Sequence, residues 1–239
     1  MHPIFKVSGK ISPYFRRRQF RKFLETFSPT RSMRILDVGG LPRAWLGVPI
    51  ESEITILDIT RLDDFEGSFL QPNHVAVMGD GTRLPYPDQS FDIVFSNSVI
   101  EHLGTWEKQR AFAAEACRVG RCYWIQTPAK EFPIEPHYFG PFVHWFSKPI
   151  QKRLLRHFTL WGLLGRPTDE TLDQVLAELR LLSGKEFRDL FGNAQMWVER
   201  VLGLPKSYTA YSTRPQSRFP LIPDHLARVS FPLSPVWRP

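Results

Sequence analysis

Apolar and polar positions along this chain of 239 residues alternate between two periods. Tyr14–Phe27 places Phe15, Phe20, Phe23, Leu24 and Phe27 at helical spacing with arginines opposite, and Pro29 ends the helix. Short apolar runs follow, at about 33–38, 53–58 and Val75–Met78 and at Phe91–Phe95, each long enough for a strand. Phe91–Phe95 is apolar apart from Asp92, as a strand covered on both faces of a parallel sheet should be. Arg43–Leu46 fits one short helical turn, and residues 60–72 a connection. Trp106–Val119 reads as a helix with Phe112, Ala113 and Ala116 inward, and Arg121–Gln126 as a fifth strand. Alternating strands and helices predict an α/β fold.

The pattern changes beyond Pro128. The segment to Pro149 is crowded with proline, aromatic residues and histidine, which is unusual for a simple connection. Ile150–Leu164 predicts one basic amphipathic helix, and Thr168–Leu181 another, with Thr168 as N-cap and Glu170 in the first turn. Ser183-Gly-Lys-Glu186 ahead of Phe187 has the spacing of a capping box. Gln195–Leu202 and Ser207–Ser212 predict a closing antiparallel pair, and the tail from Thr213 carries six prolines in 27 residues. The expected organisation is a basic N-terminal helix over 1–30, one domain over 31–212 with an insert or lid at about 129–182, and a Pro-rich C-terminal tail over 213–239.

Composition narrows the class. A hydrophobic share of 42% and seven tryptophans suit a packed core rather than a disordered chain. Cys117 and Cys122 are the only cysteines, too few for a disulfide framework or a cysteine-built zinc site, and are read as buried thiols. Met1–Lys22 is basic and amphipathic without a continuous apolar core, so no secretory signal is expected and the cytoplasm is the default. The net charge of +7 is unevenly placed. Residues 1–34 hold nine Lys/Arg against one acid, residues 148–166 five against none, and residues 35–147 eight against fifteen. An acidic sheet region thus carries basic appendages.

The chemistry concentrates at predicted strand ends. Arg34-Ile-Leu-Asp-Val-Gly-Gly40 places Asp37 near the end of the first strand with glycines directly after it. Asp58 ends the second strand, and Gly79-Asp80-Gly81 follows the third. Ligands of open α/β sheets sit at the carboxyl ends of strands, and acids at several successive ends suit ribose hydroxyls and an adenine amine better than a pyrophosphate. The run Gly79-Asp-Gly-Thr-Arg-Leu-Pro-Tyr-Pro-Asp-Gln-Ser-Phe-Asp-Ile-Val-Phe-Ser-Asn-Ser-Val-Ile-Glu-His-Leu103 carries the most specific signal. With the two strand-end acids it resembles the class I S-adenosylmethionine-dependent methyltransferases, in the type 11-like branch related to small-molecule and ubiquinone-pathway enzymes. The resemblance covers about residues 31–127, and less distinctively 194–212. Gln126-Thr-Pro128 followed by Phe132-Pro-Ile-Glu-Pro-His137 is similar, more narrowly, to bacterial methyltransferases associated with surface-polysaccharide pathways.

The resemblance implies a Rossmann-like, doubly wound, seven-stranded sheet, mostly parallel with one antiparallel strand near the C-terminus, and S-adenosyl-L-methionine as cofactor. It implies that Asp37 orients the loop after the first strand, and that Gly39 and Gly40 make its tight turn beside the methionine moiety. Asp58, with Ile59 next to it, would take the ribose hydroxyls. Asp80 would take the adenine amine, with a backbone donor from Gly81, and Asn97 would contact the methionine end. One departure stands out: Leu41 and Arg43 occupy positions where that family has further glycines, with Pro42 between them.

On the acceptor side, His102 follows Glu101 at the start of a loop. A neutral imidazole there could take a proton from a hydroxyl, or could be a histidine packed under the loop; Glu101 could be the base itself or the group that orients His102. His137 and Tyr138 lie in the Pro-aromatic segment, a natural lid. Glu135, His137 and His144 stand at i, i+2 and i+9, a spacing without strong precedent as a ligand set, so no metal is expected. The leading expectation is methyl transfer to oxygen of a small-molecule, glycan or lipid-linked acceptor. A second is the same chemistry at a membrane surface, with 142–166 lying in the interface. A non-catalytic binding protein with this fold, and a nucleic-acid binder using the basic N-terminal arm, are the other classes. Ser96-Asn-Ser-Val99 stands where base-amino methyltransferases have Asn-Pro-Pro-aromatic, so nucleic acid is not the expected acceptor.

Overall fold

In a computed structural model the described residues are 12–62, 64–135 and 140–214. In chain order they form α1 (Ser12–Phe27), β1 (Arg34–Val38), β2 (Glu53–Asp58), α2 (Asp64–Gly67), β3 (His74–Met78), β4 (Phe91–Asn97), α3 (Trp106–Val119) and β5 (Gly120–Pro128). There follow β6 (Ile134–Glu135), β7 (Gly140–Pro141), α4 (Lys148–Phe158), α5 (Leu160–Gly165), α6 (Asp169–Glu178), α7 (Gly184–Phe191), β8 (Gln195–Val201) and β9 (Leu204–Ser212). The tail from 215, His137 and Tyr138 lie outside the described residues, as do residues 1–11.

The main sheet has seven strands in the order β3-β2-β1-β4-β5-β9-β8. Its first five strands are mutually parallel, and β9 runs antiparallel to both β5 and β8. This is the expected doubly wound, Rossmann-like sheet. The order reverses between β1 and β4, which creates the crevice where open α/β sheets bind ligands.

Strand alternation sorts neighbouring residues onto opposite faces. Leu36, Val94 and Ile125 face one layer, where α3 supplies Phe112, Ala113 and Ala116, and α7 supplies Phe187, Leu190 and Phe191. Ile35, Ile93 and Trp124 face the other, where α1 lays down Phe20 and Phe23 beside Trp45. A third, smaller core of Val143, Leu155, Trp161, Leu172 and Leu176 holds the insert together. Cys117 and Cys122 are free and only partly buried, and burial pushes the Cys117 thiol up to about 12, so it stays protonated and inert.

Helix starts follow their sequence signals. Thr105 caps α3 by accepting from the Lys108 amide, and Thr168 caps α6 by accepting from the Thr171 amide. Ser183 and Glu186 form the full reciprocal box at α7. The helix expected over Ile150–Leu164 is instead two helices. Thr159 splits them: its hydroxyl donates to the Leu155 carbonyl and accepts from the Gly162 amide, closing α4 and capping α5. The stretch 60–72 contains the single turn α2, and α6 ends at Glu178, short of Leu181.

Phe23 is fully buried and its ring lies 5.1 Å from Phe95 and 5.9 Å from Trp124. Phe23→Ala is predicted to lower stability by about 3–5 kcal/mol through the cavity it leaves. Urea unfolding checks this, and a loss under about 1 kcal/mol would mean that α1 is not part of the cooperative fold.

Candidate active site

The carboxyl ends of β1, β2, β3 and β4 carry the residues singled out above. After Val38 the chain turns at Gly39, whose φ of +74° only glycine adopts without strain. The Gly39 amide donates to the Leu57 carbonyl at 2.7 Å, tying this turn to β2. At Gly40 a Cβ would lie 1.7 Å from Asp37 Oδ2, so the Asp37 side chain occupies the space beneath this residue. Both glycines are therefore required by the protein's own packing: a Cβ on Gly39 would meet Val99 at 2.6 Å.

Asp37 is 1% exposed, and its Oδ2 accepts from Trp45 Nε1 at 2.7 Å. Trp45 closes a 3₁₀ turn, Pro42–Trp45, that begins with proline at its first position. This is how the loop lacking the further glycines runs. It folds back as a helical turn pinned to Asp37, and Arg43 is drawn away to Glu66, 3.0 Å distant. Burial pushes the Asp37 carboxyl up to about 7; the Trp45 hydrogen bond pulls it down, and the Asp58 carboxylate adds a further push upward.

Asp58 and Asp80 share one geometry. Asp58 Oδ1 accepts from the Thr60 amide at 2.8 Å and from the Thr60 hydroxyl at 2.7 Å. Asp80 Oδ1 accepts from the Thr82 amide and hydroxyl, both at 2.8 Å. Each Asp-x-Thr turn fixes one carboxylate oxygen and leaves Oδ2 with a lone-pair set for a ligand. Ile59, next to Asp58 in the chain, has 55% of its surface exposed. Gly81 packs tightly, since a Cβ there would stand 2.7 Å from Val38. Two half-buried carboxylates at neighbouring strand ends, with an exposed aliphatic side chain after one of them, are chemically suited to a diol, an exocyclic amine and a base plane, so these residues fit an adenosine-bearing cofactor.

Asn97 ends β4 and its side chain is engaged with α1: Nδ2 donates to Gln19 Oε1 at 3.0 Å. Gln19 in turn donates to Glu199 Oε2 at 3.4 Å. Glu199 is fully buried in β8 and also receives the Ser207 hydroxyl at 3.2 Å and the Lys206 ammonium at 3.4 Å. Gln19 is thus a partner of Asn97 that sequence reasoning missed. It sits 78 positions from Asn97, and nothing local distinguishes it from a surface glutamine on an arginine-rich helix.

On the other side of the crevice, Glu101 and His102 lie in the 3₁₀ turn Ile100–Leu103. They part company there. Glu101 is fully buried with Oε2 accepting from Thr127 at 3.0 Å, which makes it a brace between this turn and β5. His102 is exposed at the rim, with its backbone amide bonded to the Val99 carbonyl. His137 lies outside the described residues. His144 Nε2 meets the Lys130 carbonyl at 2.9 Å, and among the described residues no three His, Cys, Asp or Glu side chains converge as a metal site would need.

Residues 39–122 match a family model described as a methyltransferase domain. The tRNA (carboxymethyluridine(34)-5-O)-methyltransferase of Saccharomyces cerevisiae is 28% identical over 112 residues, which cover 44% of this chain and 39% of the yeast protein. Among solved structures, a Rhodobacter sphaeroides chain described under zinc-dependent alcohol dehydrogenases superposes with a TM-score of 0.56 at 15% identity, over 82% of this chain and 89% of that one. The Burkholderia thailandensis 1,6-didemethyltoxoflavin-N1-methyltransferase, holding its substrate and S-adenosylhomocysteine, superposes with a TM-score of 0.50 at 12% identity, over 83% and 78%. At such identities the structural likeness speaks for the fold alone. The family match spans about a third of the chain, residues 39–122, and runs from just after β1 into β5 of the doubly wound sheet.

The Asp37 position makes a pH test possible. Its folded value, near 7, lies above that of an unfolded carboxyl. Between about pH 4 and 7 the unfolded chain is ionised while the folded chain keeps the proton, so stability from this group falls as pH rises through that window and is flat above it. Full conversion is worth on the order of 4 kcal/mol. Asp37→Asn should flatten that decline in Tm between pH 4.5 and 7.5; an unchanged slope would show that Asp37 ionises normally.

Proposed function

We propose that this chain is an S-adenosylmethionine-dependent methyltransferase acting on oxygen of a hydroxylated small molecule, glycan or lipid-linked acceptor. The observation that carries the cofactor assignment is the pair of Asp-x-Thr turns at the ends of the neighbouring strands β2 and β3, each engaging one carboxylate oxygen, with the exposed Ile59 following Asp58. When bound, the cofactor supplies an already activated methyl group. The chain's own work is to hold it, to align an acceptor oxygen and to exclude water. Asp58 and Asp80 hold the adenosine end, and the Asp37–Trp45 turn shapes the wall at the other end. His102, exposed at the rim, takes the acceptor's proton at its neutral imidazole, while Glu101 braces the turn on which His102 rides.

The yeast relative's name specifies a 5-O position on a tRNA uridine, which supports oxygen as the target atom. It also favours a second reading, an RNA acceptor. Arg17 and Arg21 are exposed on α1 without an ion pair among the described residues, whereas Arg18 is spent on Glu199 and the Trp197 ring. The likeness of 126–137 to the polysaccharide-associated group favours the glycan reading, and the two separate in a labelled-cofactor screen of hydroxylated glycans against bulk tRNA.

Two variants test the assignments. Asp58→Ala should weaken S-adenosylhomocysteine binding by about 1–3 kcal/mol in calorimetric titration, through lost hydrogen bonds to the ribose. Unchanged affinity would remove Asp58 from the site. His102→Ala should bind cofactor as the parent does and turn over ~10²-fold more slowly once an acceptor is found. A rate within a fewfold of the parent would make His102 structural.

A further inference from the structure

The insert carries a surface that the methyltransferase reading does not use. From residue 136 to residue 168 the sequence contains no acid and five Lys/Arg. Of the sixteen large hydrophobic residues exposed among the described residues, seven fall between positions 142 and 164. Phe142, Trp145 and Phe146 stand on the turn before α4, each about half exposed, with the Phe142 and Trp145 rings 5.1 Å apart. Phe142 is held at a φ of +64°, a strained conformation for an aromatic residue. Within α4, Gln151 and Leu155 face the interior and Leu154 is half-buried against the insert core, while Ile150, Arg153, His157 and Phe158 recur at i, i+3, i+7 and i+8 as exposed positions. Pro149, Ile150, Arg153, Leu154 and Phe158 line a shallow groove there. Leu163 and Leu164 of α5 are 58% and 68% exposed.

The basic residues divide the same way. Lys148 donates to the Leu176 and Leu179 carbonyls at the end of α6, and Lys152 and Arg156 pair with Asp169 and Asp173. Those inner charges fasten α4 to α6. Arg153 and Arg166 face outward without an ion pair among the described residues. An exposed apolar stripe with tryptophan and phenylalanine at its edge and uncompensated arginines beside it matches the physics of an interfacial helix.

We propose that the outer face of α4 and α5, with the aromatic turn 142–146, docks on an anionic lipid bilayer surface. The side chains of Phe158, Leu163 and Leu164 enter the acyl boundary, the aromatic turn sits at headgroup level, and Arg153 and Arg166 meet lipid phosphates. A second copy of the chain is a poorer occupant, because a two-fold contact would set the arginines of one acid-free face against those of its mate. No helix of the described residues is long and apolar enough to cross a membrane, so the contact is peripheral.

Co-sedimentation of the full chain with phosphatidylcholine vesicles, with and without phosphatidylglycerol, tests this. The parent should pellet with the phosphatidylglycerol vesicles and be released as salt is raised. Phe158→Ser with Leu164→Ser, and separately Arg153→Gln with Arg166→Gln, should each reduce the bound fraction roughly tenfold. Circular dichroism and S-adenosylhomocysteine titration on the same preparations check that each variant is folded, and keep failure of the surface distinct from failure of the cofactor site. No binding to anionic vesicles, or binding equal in parent and variants, overturns the proposal. So does a concentration-dependent dimer that Phe158→Ser abolishes, which would assign the face to self-association.

Discussion

The hydrogen bond from the Trp45 indole to the buried Asp37 carboxyl sets the course of everything around the cofactor crevice. It runs from the end of β1 to a loop eight residues on, and it fills the space under Gly40 so fully that no other residue fits there. Trp45 carries the constraint into the aromatic layer: its ring stands 5.0 Å from both Phe20 and Phe95, on α1 and β4. From α1 the constraint passes through Gln19 to Asn97 at the end of β4. The loop after β1, the N-terminal helix and the end of β4 are therefore one packed unit, not three elements that happen to border a cleft. An unpartnered carboxyl in that position would carry the full cost of desolvation, and the indole N–H is what makes its burial tolerable.

That unit explains the course of a loop without the further glycines. Glycine-rich turns approach a ligand because they lack side chains; here the same clearance arises because the side chains are directed elsewhere. Pro42 is buried, Trp45 points inward to Asp37, and Arg43 is held by Glu66. The two Asp-x-Thr turns follow a related logic. Each threonine occupies one oxygen of its aspartate with two donors, which fixes the rotamer and orients the second oxygen. Orientation is supplied locally, by a residue two positions on, so the strand end needs no support from elsewhere in the chain.

The parts of this structure that were legible in the sequence are those determined locally. Strands β1 and β2 announce themselves by apolar runs with an acid at or near their ends, β4 by its apolar run, α3 by its period, and α6 and α7 by Thr168 and the Ser183–Glu186 box. The break at Thr159 was hidden because apolar and basic positions keep helical spacing through it; only the threonine hydroxyl, bonded both backward and forward, ends one helix and begins the next. The glycines at 39 and 40 were legible as required, but their reason lay in Val99 and Asp37 rather than in a ligand. Gln19 and the Asp37–Trp45 bond were not legible, since both are products of layer packing between segments whose local patterns say nothing of each other. The different fates of Glu101 and His102 belong to the same class: adjacent in sequence, one is fully buried and the other stands at the rim.

The insert is attached through backbone groups to the turn that carries Glu101 and His102. The Arg180 amide, just past α6, donates to the Glu101 carbonyl at 2.7 Å, and Gln109 Nε2 bridges the carbonyls of Ile100 and Arg180. Gly104 lies so close to α6 that a Cβ would stand 2.7 Å from the Ala177 carbonyl. The turn bearing His102 is thus stapled to the end of α6, and α6 is fastened to α4 by Lys148, Lys152 and Arg156. His102 is therefore tied to α4 through a chain of contacts that all lie within the fold.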